Sequence, residues 1–224
     1  MVCLGCLPAF CGRGQLPDKM PLKEVGPGLF EIGKVRLSKN ARTVTIPATV
    51  NMMDGNVEYF LVTSAGKTHE SVFRTDAEPY HIHLAMLLLG AKGKGTNEFP
   101  QDKTKVPPGD PVRIEVSWKS GDKEARLRAE HLVFDRAAGK AMQNVDWIYN
   151  GSEINAEGFA AQQNGSIVSL IDDPEALINN PLPRRDDDDN WQVMPKELNK
   201  DTSAEIIITL PSAPKFPPRG SPRK

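Results

Sequence analysis

The chain has 224 residues, with 28 lysines and arginines against 29 aspartates and glutamates, a formal net charge of −1. That length supports one sizeable domain or two small ones, and the balanced charge argues against a surface built for nucleic acid. Apolar content of 39%, with 19 prolines and 18 glycines, favours short strands and turns over long helices.

Cysteine occurs at Cys3, Cys6 and Cys11 and nowhere afterwards. A body without cysteine needs no disulfide and carries no thiol chemistry. As a metal or iron–sulfur motif, Cys3-x2-Cys6-x4-Cys11 lacks a fourth ligand. Leu4-Gly5-Cys6 resembles the end of a lipoprotein export signal, with a small residue before the lipidated cysteine. Cys3 stands where an aliphatic residue is usual, and no charged or full apolar region precedes it, so the true start is expected upstream. Cys6 is thus the candidate lipidation site, and the expected location is extracytoplasmic, periplasmic or membrane-anchored through the N-terminus. Residues 12–27 are rich in Gly and Pro without periodicity, which makes 1–28 an export-signal remnant and linker.

The expected body begins at Leu29, with a short strand over 29–32 and strand and turn over 35–42. Val44, Ile46, Ala48 and Val50 then alternate with polar residues, a strand with one buried face. Pro47 within it predicts an edge or a bulge. Asp54-Gly55 signals a hairpin, 57–61 alternate again, 64–67 turn, and 68–74 return as a strand. The first half therefore reads as a meander of about four strands.

Glu78-Pro79 opens a helix and Gly90 closes it. Between them Ile82, Leu84, Ala85, Met86, Leu87, Leu88 and Leu89 leave almost no polar face, which predicts a buried helix over 79–89. The run falls far short of the ~20 apolar residues of a membrane span. His81 and His83 lie in its first turns, and residues two apart on a helix point to different sides. With His69 and Glu70 they form a candidate polar cluster of the right types for zinc, although no HExxH spacing is present.

Residues 90–109 are a long basic loop, and loops of this length are often functional. Its Gly90-x2-Gly93-x-Gly95 spacing lacks the Gly-Lys-Ser/Thr ending of a phosphate cradle. Strands are expected over 112–118, 124–127 and 166–171, with shorter pieces at 130–134, 147–149 and 158–161. Trp147 and Tyr149 share a strand face and form either core or edge packing or a candidate aromatic surface for a sugar or a peptide. Asp173-Pro174 predicts a short helix over 174–179, ended by Asn179-Asn180-Pro181. Residues 182–203 read as a polar loop. Within it Asp186, Asp187, Asp188 and Asp189 are candidate ligands for a hard cation such as calcium, but Trp191 stands where an EF-hand needs glycine. Ile206 to Leu210 is the last strand, and 212–224 is a basic, proline-rich tail without enough apolar surface to order itself.

No nucleophile elbow, Walker loop or dinucleotide fingerprint is present, so no catalytic residue and no cofactor are expected. The alternative is a bound metal ion, in a metal-binding protein or metal-dependent enzyme using His69, Glu70, His81 and His83.

Several stretches resemble the YdjY domain family: Gly66-Lys67-Thr68-His69-Glu70-Ser71, Pro79-Tyr80-His81-Ile82-His83-Leu84 with Leu87-Leu88-Leu89-Gly90, Trp147-x-Tyr149-x-Gly151-Ser152, and Asp173-Pro174 with Asn179. The resemblance spans about residues 29–211. It implies an exported or membrane-anchored protein with a β-leaning domain and supplies no mechanism. Some relatives are linked with iron–sulfur cysteines, a role that nothing after Cys11 here could fill.

The expectation is a mainly β (α+β) domain over 29–211. Two strand-rich halves form sheets or a partly closed barrel around the buried helix 79–89, with a short helix at 174–179. The expected function is a non-catalytic exported binding or structural module, without a nucleic-acid partner.

Overall fold

A computed structural model describes residues 22–194 and 198–212. It opens with β1 (Leu22–Gly26), β2 (Leu29–Ile32), β3 (Val35–Ser38) and the longer β4 (Thr43–Val50). β5 (Tyr59–Thr63) and β6 (Ser71–Thr75) lead into helix α1 (Pro79–Leu88). β7 (Asp110–Ser120) and β8 (Lys123–Arg128) form a hairpin. Short strands follow: β9 (Val133–Asp135), β10 (Lys140–Ala141), β11 (Trp147–Tyr149), β12 (Ile154–Asn155) and β13 (Gly158–Phe159). Helix α2 (Ala160–Asn164) precedes β14 (Ser166–Ser169), β15 (Ile178–Asn179), β16 (Trp191–Val193) and β17 (Ser203–Thr209).

The main sheet closes on itself. From β4 the hydrogen-bonded neighbours run through β17, β7, β11, β15, β14, β5 and β6, and β6 pairs back onto β4. Eight strands enclose a space that side chains can just fill. Ile206 lies between Ile46 and Val116, and Ile208 between Val44 and Ile114, all fully buried. The mainly β expectation holds, but the halves do not make separate sheets: the last strand sits between β4 of the first half and β7 of the second.

β1, β2 and β3 continue from β4 as a flap outside the ring. β4 serves both, because β3 pairs with Thr43–Thr45 whereas β6 pairs with Thr49 and Val50. Pro47 falls between these two pairings. Its carbonyl accepts from Thr75 Oγ1 at 2.6 Å, so its imide nitrogen faces the gap, where no ladder donor is needed. The expected edge proline thus sits in an interior strand, at the one point where that strand changes partners. Ahead of Leu29, β1 is already paired with β2 from Leu22.

The helix occurs where the sequence places it, but it is not sunk on all sides. Ile82, Ala85 and Met86 are buried, while Leu87 is 44% and Leu88 36% exposed. α1 packs against β2, β3, β4 and α2, and its Leu87–Leu88 side is left to solvent. Two further expectations are corrected. β6 pairs parallel with β5, because residues 64–70 travel back along β5 before the strand starts. Residues 174–179 are a turn ending in β15, although Asp173 Oδ1 does accept the Glu175 N–H at 2.9 Å as a cap would. The barrel needs Ile178 and Asn179 as a strand between β14 and β11, and that pairing overrides the local helix signal. Among the described residues no helix is long and apolar enough to cross a membrane.

Candidate functional site

Two of the motif stretches meet on a polar chain that runs from the exposed Lys67 inward to the buried Asn179 and Asn150. Lys67 Nζ donates to Tyr59 Oη at 2.6 Å, and that hydroxyl donates to Asp173 Oδ2 at 3.0 Å. Burial, reinforced by the Asp173 carboxylate, holds the Tyr59 phenol far above its ordinary pKa, so it stays a donor. The Asp173 N–H reaches Asn179 Oδ1 at 3.0 Å, and Asn179 Nδ2 donates to Asn150 Oδ1 at 2.9 Å. Asn150 Nδ2 donates to the Pro108 carbonyl. Buried amides that satisfy one another in this way rigidify their surroundings, and this chain ties the turn before β15 to the end of β11 and to the root of the 90–109 loop.

That loop is strapped down rather than free. Asp110 Oδ2 accepts the backbone N–H groups of Lys92 at 2.6 Å and Gly93 at 2.8 Å, and the Lys94 N–H donates to the Asn150 carbonyl at 2.7 Å. The glycine-rich turn therefore spends two of its amides on a carboxylate of its own chain. The strapping brings Lys94 over the segment after β11, where its ammonium lies 3.2 Å from Glu153 Oε2.

Between the loop, α1 and the β12–β13 hairpin lies a cleft of about 660 Å3, lined by Tyr80, His83, Lys94, Glu98, Glu153 and Phe159 among others. His83 Nδ1 is 2.8 Å from the hydroxyl of Tyr149. Phe159 packs 5.0 Å from the His83 ring, centre to centre, and meets Tyr80 edge-on at 6.4 Å. Burial pushes His83 below its ordinary pKa and Tyr149 well above its own, so both are neutral at pH 7. Ser152, held at a left-handed φ of +62°, donates to the Glu175 carbonyl at 2.5 Å and accepts the Ala161 N–H at 3.1 Å. Its hydroxyl is a brace for α2, not a free nucleophile.

Trp147 and Tyr149 are 0% exposed, so they form core and not a surface; only the Tyr149 hydroxyl communicates with the cleft, through His83. His81 lies over Gly33 of the β2–β3 turn, where an added Cβ would stand 2.3 Å from its Nδ1. His69 is exposed and 3.5 Å from Glu70. Among the described residues no group of three or more His, Cys, Asp or Glu side chains is placed to share a metal ion. Asp186 to Asp189 are exposed, and Asp189 Oδ1 accepts from Asn56 Nδ2 at 2.7 Å. Cys6, with Cys3 and Cys11, and the tail from 213 onward lie outside the described residues. Lys94 and Phe159 were missed by sequence reasoning, because a lone lysine in a glycine-rich loop and a lone phenylalanine carry no motif.

Glu70 and Asp188 do share a neighbour. Glu58 is pushed above its ordinary pKa, first by partial burial and then by these two carboxylates. A carboxyl whose folded pKa is raised favours folding below its unfolded pKa and loses that contribution as pH climbs through the folded value. Glu58→Gln is therefore expected to raise stability at pH 7 by about 0.5 kcal/mol, a figure kept small because the group is largely solvated. The gain vanishes near pH 4, where the parent carboxyl is itself protonated. Thermal melts of parent and variant across pH 4–7 check this; a gain that persists at pH 4 would refute the electrostatic origin.

A larger groove of about 940 Å3 runs over β4, β17 and β7. None of the candidate site residues above lines it, and within its lining Lys34 pairs with Asp76 at 3.2 Å and Ser117 Oγ donates to Glu124 Oε1 at 2.7 Å.

Comparison with known proteins gives one match. The family model of the YdjY domain matches residues 35–209. No curated protein and no solved structure matches the chain.

Proposed function

Since the chain belongs to the YdjY domain family, we propose that it is a non-catalytic binding module that holds a small ligand in the cleft beside His83. The observation that carries this reading is the His83–Tyr149 pair. A half-buried imidazole is fixed at one nitrogen by a fully buried phenol, while aromatic rings wall the space in front of it. Clefts of this size, apolar with a few placed polar groups, suit small ligands. The polar chain that ends at Asn150, next to Gly151 of the cleft wall, supplies the preorganisation that binding rewards. The location we propose is extracytoplasmic, with anchoring at Cys6, on the strength of Leu4-Gly5-Cys6 and the cysteine-free body. Isolation of an N-terminally lipidated peptide beginning at Cys6 from native cells tests that part, and an unprocessed Met1 would refute it.

For the cleft, a fragment library screened by two-dimensional amide NMR is the test. Shifts are expected to concentrate at Tyr80, His83, residues 94–98 and residues 151–159, and to weaken about tenfold in Phe159→Ala, the loss of one ring contact. Hits confined to the groove over β4, β17 and β7, or no hits at all, would overturn the assignment.

A further inference from the structure

The protonation pattern of the His83–Tyr149 pair narrows the ligand. Tyr149 is fully buried, and its hydroxyl hydrogen has one acceptor within reach among the described residues, the His83 Nδ1. A buried hydroxyl hydrogen left without an acceptor is costly, so the phenol donates and Nδ1 accepts. A neutral imidazole bonded in this way carries its proton on Nε2. That nitrogen has no hydrogen-bond partner among the described residues, and it is not sealed off from solvent, so it offers an N–H to the cleft. The ligand must then present an oxygen acceptor.

The charges set a second condition. The cleft holds one cation, Lys94, against two carboxylates, Glu98 and Glu153, with His83 neutral. Lys94 is already paired with Glu153. This balance repels an anion such as a carboxylate or phosphate. A cation would be attracted by Glu98 but would meet the hydrogen of His83 where it needs an acceptor. The third condition is the pair of ring surfaces of Tyr80 and Phe159, set edge-on to each other, which reward a ligand with a flat apolar face.

We infer that the cleft takes a neutral, hydroxyl-rich ring ligand, a saccharide, with one hydroxyl oxygen accepting from His83 Nε2 and the C–H face of the ring on Phe159. Sugar hydroxyls both donate and accept, which matches donors at His83 and Lys94 set among acceptors at Glu98 and Glu153. The inference rests on the binding reading of this cleft and names its ligand class.

The test titrates the full chain with the neutral tetrasaccharides cellotetraose, maltotetraose and chitotetraose, with benzoate as the anionic arm, each to about 10 mM and followed by amide NMR. At least one tetrasaccharide is expected to give saturable shifts around His83 and Phe159. Phe159→Ala and His83→Phe should weaken it about tenfold, whereas His83→Gln, whose amide can still donate, should stay within about threefold. Nitrogen-15 shifts of the unmodified protein report the imidazole tautomer independently of any variant, and a proton found on Nδ1 overturns the inference. If benzoate or a fragment occupies the cleft while no tetrasaccharide does, the ligand class is wrong and the binding cleft stands. If nothing enters the cleft, both fall.

Discussion

Arg185→Met is expected to destabilise the protein by about 3–5 kcal/mol, lowering the melting temperature by roughly 6–20 °C for a chain of this size. The guanidinium is 0% exposed. Its Nε donates to Asp172 Oδ1 at 2.9 Å, Nη1 to the Lys103 carbonyl at 2.5 Å and the Leu182 carbonyl at 3.2 Å, and Nη2 to the Lys105 carbonyl at 2.6 Å. One planar fork thus satisfies a carboxylate and three carbonyls, and it ties the far part of the 90–109 loop to the turn before β15. Methionine keeps most of the volume and removes every donor. Asp172 then retains Lys103, and the Leu182 carbonyl is left buried without its donor. Arg185→Lys keeps the charge but not the fork, and it is expected to recover less than half of the loss. Urea unfolding of the three proteins is the measurement. A methionine variant within about 1 kcal/mol of the parent would mean that the buried fork does not hold the loop.

Gly109→Ala is expected to cost about 3 kcal/mol or more and to disturb the cleft as well. Gly109 has a φ of +149°, and an added Cβ would lie 2.3 Å from the Tyr149 carbonyl oxygen and 2.9 Å from its carbonyl carbon. These are backbone atoms of the neighbouring strand, so the clash cannot be relieved by a rotamer change. β7 must move away from β11 at the pairing of Asp110 with Tyr149. That one pairing carries the carboxylate that straps Lys92 and Gly93 and the phenol that holds His83. Gly121→Ala is the control. Its φ is +62° with nothing within 4 Å, so only the left-handed strain of about 1–2 kcal/mol applies. The difference between the variants isolates the steric term. Equal costs for the two, with the amide signals around His83 unmoved in Gly109→Ala, would show that the strand contact does not position the site.

Much of the fold was legible in advance because it rests on local periodicity. The alternation of Val44, Ile46, Ala48 and Val50 marked a strand with one buried face, and β4 is that strand. Glu78-Pro79 and Gly90 bracketed the helix to within a residue. The misreadings share a cause. The turn at 174–179 had a helix cap in its sequence and in its hydrogen bonds, yet the barrel needed two of its residues as a strand. Leu87 and Leu88 read as buried because composition reports that a segment is apolar without reporting how much of its circumference finds a partner.

The site was less legible than the frame. His83 was marked, but as one of a four-residue ligand set, and its neighbours are instead Tyr149, Phe159 and Tyr80. Tyr149 was marked either as packed core or as a surface aromatic; it is packed, and its role as the buried partner of an imidazole had no signal in the sequence.

By itself the order of residues determined the longer strands such as β4, β7 and β17, where the one long helix begins and ends, and which motifs place the chain in its family, because each depends on neighbours a few positions apart; the short strands β15 and β16 lie where it read a helix and a loop. Only the tertiary structure decided that the sheet closes, that β17 inserts between the two halves, and that Lys94, His83 and Phe159 face one space. Those outcomes depend on contacts between residues far apart in the chain, which local pattern does not encode.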